Sequence, residues 1–322
     1  MAKALRITAV VCAIAICAIV SATYGANRLR EAVNASLNRS PCVDSDDAVI
    51  RAAARGDRPR LVQGLRAGAD IDHEVNGWTA LACASSAGRP EIVELILALG
   101  AVPSPEALQA AVGARAPSGI GPLPNPEPGP TDSAHMEIVG ALLDAGAAPD
   151  GGDTGPSPLL YAAWSGQVET TALLLARGAH ADHGGRVNSA IVLLAQTVTP
   201  GTTSEARPDS VAQLLPDPTG DHVENVPPLV GAAWAGRIEI ARQLLDAGAD
   251  PNLAADEAFT ALFAAAVRGD GAMADLLLER GAATVPDVRP GVLRPAEAAL
   301  LAGHVDLATR LAPPGPVPQP AW

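Results

Sequence analysis

The sequence predicts an all-α solenoid of about eight stacked helix-turn-helix units with short hairpin loops, preceded by an N-terminal transmembrane helix or signal peptide. Three observations predict it. First, a phrase of small residues around a glycine returns along the chain: Arg-Gly-Asp-Arg at 55–58, Ala-Gly-Arg-Pro at 87–90, Ser-Gly-Gln-Val at 165–168, Ala-Gly-Arg-Ile at 235–238, Arg-Gly-Asp-Gly at 268–271 and Ala-Gly-His-Val at 302–305. Second, apolar helical stretches close on Gly-Ala at Gly68, Gly100, Gly146, Gly178, Gly248 and Gly281, at intervals of 32 residues (68 to 100, 146 to 178) and 33 residues (248 to 281). A beat in the thirties marks stacked repeats. Third, hydrophobic residues make up 48% of the chain but aromatics only 2%, so alanine and leucine supply thin helices that pack closely.

From the N-terminus, residues 1–6 are basic, with Lys3 and Arg6, and residues 7–27 carry no charge. Such a stretch is long enough to span a bilayer. Its core, Ile7–Val20, also has the length of a signal-peptide apolar region, with Val20-Ser21-Ala22 as a small-residue cleavage site. The segment is therefore an anchor or an export signal, and the anchor is favoured. The repeats are expected outside the cytoplasm, periplasmic or at the cell surface; the alternative is secretion after cleavage. Residues 28–45 read as a linker. Lys3 is the only lysine in a chain rich in glycine and proline, a bias read as that of a GC-rich bacterial gene.

Cys12 and Cys17 lie in the apolar segment, and Cys42 and Cys83 in the body. The latter two either pair, as an oxidising compartment permits, or stay apart with Cys83 filling a core slot. Beyond residue 26 the balance is 20 Arg against 35 Asp and Glu. That excess repels nucleic acid and anionic lipid, whose recognition needs clustered cations. Membrane contact is expected through residues 7–27 only.

Units are expected to begin near 46, 77, 103, 155, 187, 226, 258 and 292, filling residues 46–312. A Pro-rich insertion at 116–130 and a second at 197–208 are both placed between first and second helices. The prolines after 312 stop the last helix, and 313–322 is expected to be a disordered tail.

The run Ser157-Pro158-Leu159-Leu160-Tyr161-Ala162-Ala163-Trp164-Ser165-Gly166 carries a resemblance to the ankyrin repeat family. Thr79-Ala80-Leu81, Thr260-Ala261-Leu262 and Pro227-Pro228-Leu229 open other units less faithfully. The pieces have physical reasons. Ser or Thr caps the first helix, and proline suits its first position. Paired alanines admit neighbouring helices, and glycine ends the second helix in a left-handed conformation. Ile92, Ile96 and Leu97, like Ile240, Leu244 and Leu245, recur at helical spacing. The resemblance covers nearly all of 46–312, and bacterial exported or membrane-anchored members of this kind look like accessories that hold or neutralise a partner.

No Gly-rich phosphate loop, nucleophile elbow or His-Glu-x-x-His helix appears. His180-Ala-Asp182-His183 has short metal-ligand spacing but falls on a hairpin tip, so no metal or cofactor is expected, nor a catalytic residue or a small-molecule substrate. The resemblance implies a non-catalytic protein-protein interaction module that binds through hairpin tips and the concave first-helix face. On the family pattern, Trp78, Trp164 and Trp234 fall at contact positions, as do Arg55, Arg268 and Val267. Tip residues Asp72, Glu74, Asp182 and Asp256 belong to an acidic rim that suits a partner with a basic surface. The rivals are a structural spacer or regulatory tether and an unrecognised enzyme.

Overall fold

The computed structural model describes residues 42–43, 45–113, 133–152, 156–188, 222–255, 259–286 and 293–312. The expected anchor at 7–27, the insertions at 116–130 and 197–208, the tail and Asp256 lie outside the described residues. Among those described, no helix is long and apolar enough to cross a membrane.

Among the described residues, fourteen helices form seven packed pairs: α1 Ala48–Arg55 with α2 Arg58–Arg66, α3 Ala80–Ser86 with α4 Pro90–Ala98, α5 Pro105–Ala111 with α6 Ser133–Asp144, and α7 Pro158–Ser165 with α8 Val168–Ala176. After strands β1 Gly185–Asn188 and β2 His222–Val226 come α9 Pro228–Ala235 with α10 Ile238–Asp246, α11 Ala261–Arg268 with α12 Gly271–Glu279, and α13 Pro295–Leu301 with α14 Val305–Leu311. The first helices start where the sequence supplies caps. Thr79, Ser104, Ser157 and Thr260 each accept a hydrogen bond from the backbone N–H three residues on, at 3.1, 3.3, 3.1 and 3.2 Å. Proline opens α5, α7, α9 and α13, where a missing N–H costs nothing.

Stacking builds the core. The first helices pack in the rows α1–α3–α5 and α7–α9–α11–α13, and the second helices in the row α4–α6–α8–α10–α12. The paired alanines Ala52–Ala53, Ala162–Ala163, Ala232–Ala233 and Ala298–Ala299 are all buried between first helices. Their single methyl lets one helix axis approach the next. Leu61, Ile96, Leu142, Leu174, Leu244, Leu277 and Leu311 line the seam with the second helices, each almost wholly removed from water. Burying one such side chain contributes roughly 1.5–3 kcal/mol, and no unit encloses its own seam.

Two expectations need correction. The unit expected near 187 has no slot in the stack, because α7 packs directly on α9 and α8 on α10. β1 and β2 instead pair antiparallel, with Gly185 opposite Val226 and Asn188 opposite His222, so the chain leaves and re-enters between two adjacent units. The second insertion accordingly interrupts the hairpin between units rather than a helix pair, whereas the Pro-rich one does lie between α5 and α6.

Cys42 and Cys83 form a disulfide, with Cα atoms 5.6 Å apart. It fastens residues 42–47 to α3 across the first helix pair. Arg51 and Arg55 donate to the carbonyls of Ser45 and Val43, and the Asp47 carboxylate caps α1 through the N–H groups of Val49 and Ile50. Closing a loop with a sequence separation of 41 is worth about 4 kcal/mol on the chain-entropy estimate. Cys42→Ser, or reduction of the wild-type chain, should therefore lower the urea midpoint and release amide protection first over 48–66. Hydrogen exchange with and without reductant measures this, and unchanged protection there would show that the bridge supports nothing.

Candidate functional site

Each second helix ends on Gly-Ala and gives way to a turn, and these turns form one edge of the stack. The fourth residue after the closing glycine is Asx in four turns: Asp72, Asp150, Asp182 and Asn252. In each case the side chain accepts a hydrogen bond from the backbone N–H two residues after the glycine of the next unit. Asp72 accepts from Val102 at 3.1 Å, Asp150 from His180 at 2.8 Å, Asp182 from Asp250 at 2.9 Å and Asn252 from Ala283 at 2.7 Å. Inside their own turns, Asp70 and Asp250 accept from the N–H groups of Asp72 and Asn252. Carboxylates that accept backbone N–H groups make strong bonds, so the ladder fixes tip against tip. The rung from Asp182 to Asp250 spans the β1–β2 excursion and keeps the same register as the rest.

Against this frame the anticipated contact residues sort differently. The tryptophans are not presented as anchors: Trp78 is 4% exposed, Trp164 8% and Trp234 9%. Trp78 closes its turn through reciprocal backbone bonds with Val75, both 3.0 Å, while Trp164 and Trp234 are shielded in the first helices of directly adjacent units. Asp72 and Asp182 are ladder acceptors, and Asp256 lies outside the described residues. Val267 packs against the core.

Arg55 and Arg268 hold equivalent positions but not equivalent surroundings. A Cβ placed on Gly236 would come within 2.8 Å of Arg268 Nη2, so the Arg268 guanidinium lies over the preceding unit. Burial there pulls its pKa below the usual value, partly offset by Asp270. Arg55 has no preceding unit to cover and is exposed. Glu74 is exposed too, and with Asp70, Asp250, His73 and His183 it forms the accessible part of the tip edge.

Sequence reasoning missed the pairing of His180 with Asp150. The ring Nδ1 lies 2.5 Å from Asp150 Oδ2, and that hydrogen bond together with the carboxylate charge raises the imidazole pKa above its ordinary 6.5. His180 and Asp182, read as possible ligands, thus face different units, and among the described residues no three His, Cys, Asp or Glu side chains converge as a metal site would need. The Asx that recurs four residues after Gly68, Gly146, Gly178 and Gly248 was the legible signal for these contacts.

The ankyrin repeat family model matches residues 76–107 and 227–256. The crystal structure of the human ASB11 ankyrin repeat domain is similar over 84% of this chain and 100% of that chain, at 20% identity and a TM-score of 0.52, a likeness that speaks for the fold alone. No curated protein matches the chain. The chain thus carries ankyrin repeats at these two places, within a stack that has the ankyrin-repeat fold. Ankyrin repeats are in general protein-protein interaction modules, and their fold is typically a non-enzymatic scaffold.

The His180–Asp150 pair carries a pH signature. Its folded pKa is raised, so its contribution is complete below the ordinary imidazole value and fades as pH climbs through the raised one. Ring NMR of the wild type should place the His180 midpoint above 6.5, and Asp150→Asn should bring it back down. A midpoint indifferent to Asp150→Asn would remove the pair from the tip ladder.

Proposed function

We propose that the protein is a non-catalytic binding scaffold, tethered to a membrane through residues 7–27, whose tip edge and first-helix face hold a protein partner with a basic surface outside the cytoplasm. The observation that carries this reading is the tip ladder. Side chain–backbone bonds tie the first two turns together and tie the turns from Gly146 to Gly281 into a row, and these tips leave Asp70, Glu74 and Asp250 exposed. Preordered groups bind with less entropy to lose, and an acidic edge steers a cationic surface. The buried tryptophans contribute rigidity, so specificity falls to the exposed polar residues.

Compartment and tether rest on separate support. A disulfide between body residues suits an oxidising compartment, since cytosolic thiols are kept reduced. The uncharged stretch 7–27 has the length an anchor needs.

The single lysine at position 3 makes a clean test available. Zero-length carbodiimide coupling of the full-length chain in native membranes should join tip carboxylates to lysines of the partner, with little self-coupling. Asp70→Asn, Glu74→Gln and Asp250→Asn together should reduce the adduct by about tenfold, if each exposed contact is worth roughly half a kcal/mol or more. Adducts confined to second-helix carboxylates such as Glu94 or Glu239 would point to a different face. Absence of any adduct would favour a spacer or tether.

Orientation has its own measurement. A reporter active only outside the cytoplasm, fused after residue 40, should be active. Activity of a cytoplasm-specific reporter at the same position would place the repeats on the other side.

A further inference from the structure

The stack is electrically lopsided. Residues 48–66 hold five arginines and one acid, with Asp44, Asp46 and Asp47 just before them, whereas residues 67–322 hold 12 arginines against 30 acids. The cationic part is the first helix pair, whose outer face meets no other unit among the described residues. A groove of about 370 Å³ opens there between α1 and α2, lined by Ala48, Ala52, Gly64 and Ala67 and by the guanidinium-bearing Arg51, Arg55 and Arg60. On α1 the residues Ala48, Arg51, Ala52 and Arg55 fall on one stripe, and on α2 the residues Arg60, Gly64 and Ala67 face them. The floor is shallow because α2 approaches α1 closely at its glycine: a Cβ on Gly64 would lie 2.7 Å from Val49 Cγ2.

In the later pairs, the corresponding face is covered by the preceding unit, as Arg268 covers Gly236. In the first pair no described unit covers it, Arg55 and Arg60 are exposed, and the disulfide fastens the chain before α1 to α3. The strap ending at Cys42 fixes the carbonyls of Ser45 and Val43, and these orient Arg51 and Arg55 without neutralising them. Each guanidinium has five N–H donors, so most remain for another acceptor. The one acid in the lining is Asp57, 3.2 Å from Arg60. Three arginines against one carboxylate leave an excess positive charge in a concave site, in a protein that is otherwise strongly acidic.

We propose that this end groove binds a phosphate ester, with Arg51, Arg55 and Arg60 as the ligating residues. Planar guanidinium forks match phosphate oxygens in pairs, and backbone-held arginines lose little freedom on engaging them. Two sources supply that chemistry: the headgroup of an anionic phospholipid and a free phosphate monoester. The headgroup has the geometry in its favour where residues 7–27 lie in a bilayer. Only residues 28–41 separate that segment from Cys42, a reach of at most about 50 Å, and basic residues near a membrane are attracted to anionic lipid. The groove then holds the solenoid end-on to the surface and turns the acidic units away from it.

Two probes separate the sources, both applied to the full-length chain. In nanodiscs of phosphatidylcholine with phosphatidylglycerol, hydrogen exchange over 48–67 should slow by roughly tenfold relative to phosphatidylcholine alone. The double variant Arg55→Gln, Arg60→Gln should abolish the difference, and Arg66→Gln, outside the groove, should preserve it. In neutral detergent, titration with glycerol 3-phosphate reads the free-ester source by calorimetry. Lipid-dependent protection that needs Arg55 and Arg60 supports the headgroup, and saturable glycerol 3-phosphate binding lost in the double variant supports the free ester. Neither signal, or signals that survive the double variant, would overturn the proposal.

Discussion

The structure depends on one constraint: no helix pair can bury its own faces, so every pair must lie close enough to the next to share them. Alanine makes that approach possible. Where Ala162 and Ala163 meet Ala232 and Ala233 the helices touch through single methyl groups, and larger residues there would hold the units apart. The closeness has further consequences. Gly166, Gly236 and Gly269 lie beneath the side chains of Arg237, Arg268 and His304 from the following units, so an arginine or histidine spans each junction. The guanidinium groups of Arg237 and Arg268 and the His304 ring lie directly over these glycines. At the opposite edge the Asx ladder repeats the same step in hydrogen bonds. Core, helix ends and tips thus all carry the same unit-to-unit spacing.

Most of this was legible because the features are local. Thr79, Ser157 and Thr260 announce helix starts through their own hydroxyls, and the Gly-Ala closures announce ends. What eluded the sequence depends on what lies beside a residue in space. A tryptophan before the closing glycine looks like an exposed anchor until the neighbouring unit covers it. The interval from Gly178 to Gly248 is 70 residues, close to two repeat lengths, and reads as two units. The rung from Asp182 to Asp250 shows that it is a single step with an excursion attached. Cys42 and Cys83 pair because residues 42–47 fold back over the first unit, a path that no spacing rule supplies.

The two ends of the stack differ for a related reason. An interior unit spends its cations on its neighbour, as Arg268 does on Gly236, or across to an adjacent helix end, as Arg177 and Arg280 do with Asp144 and Asp246 at 2.7 Å. The first unit has no neighbour on its outer side among the described residues, and the equivalent Arg55 donates to the Val43 carbonyl and stays exposed. A repeat protein must finish its exposed end with polar groups. Here the finish is cationic on an anionic body, which polarises the molecule along its length.

That polarity bears on how the scaffold would meet other surfaces. At 0.15 M ionic strength an exposed charge acts over about 8 Å, so the ends and the tip edge behave as separate electrostatic surfaces. Helix-end ion pairs such as Arg280 with Asp246 cancel locally and contribute little to either. Tip carboxylates are different: Asp182 and Asp150 are consumed by the ladder, while Asp70, Glu74 and Asp250 remain outward. Structural acids therefore set the spacing at which the outward acids are displayed, two of which, Asp70 and Asp250, also brace their own turns. β1 and β2 open from this same edge, yet the rung from Asp182 to Asp250 holds the step on either side of them, so the spacing of the outward carboxylates passes the strands unchanged.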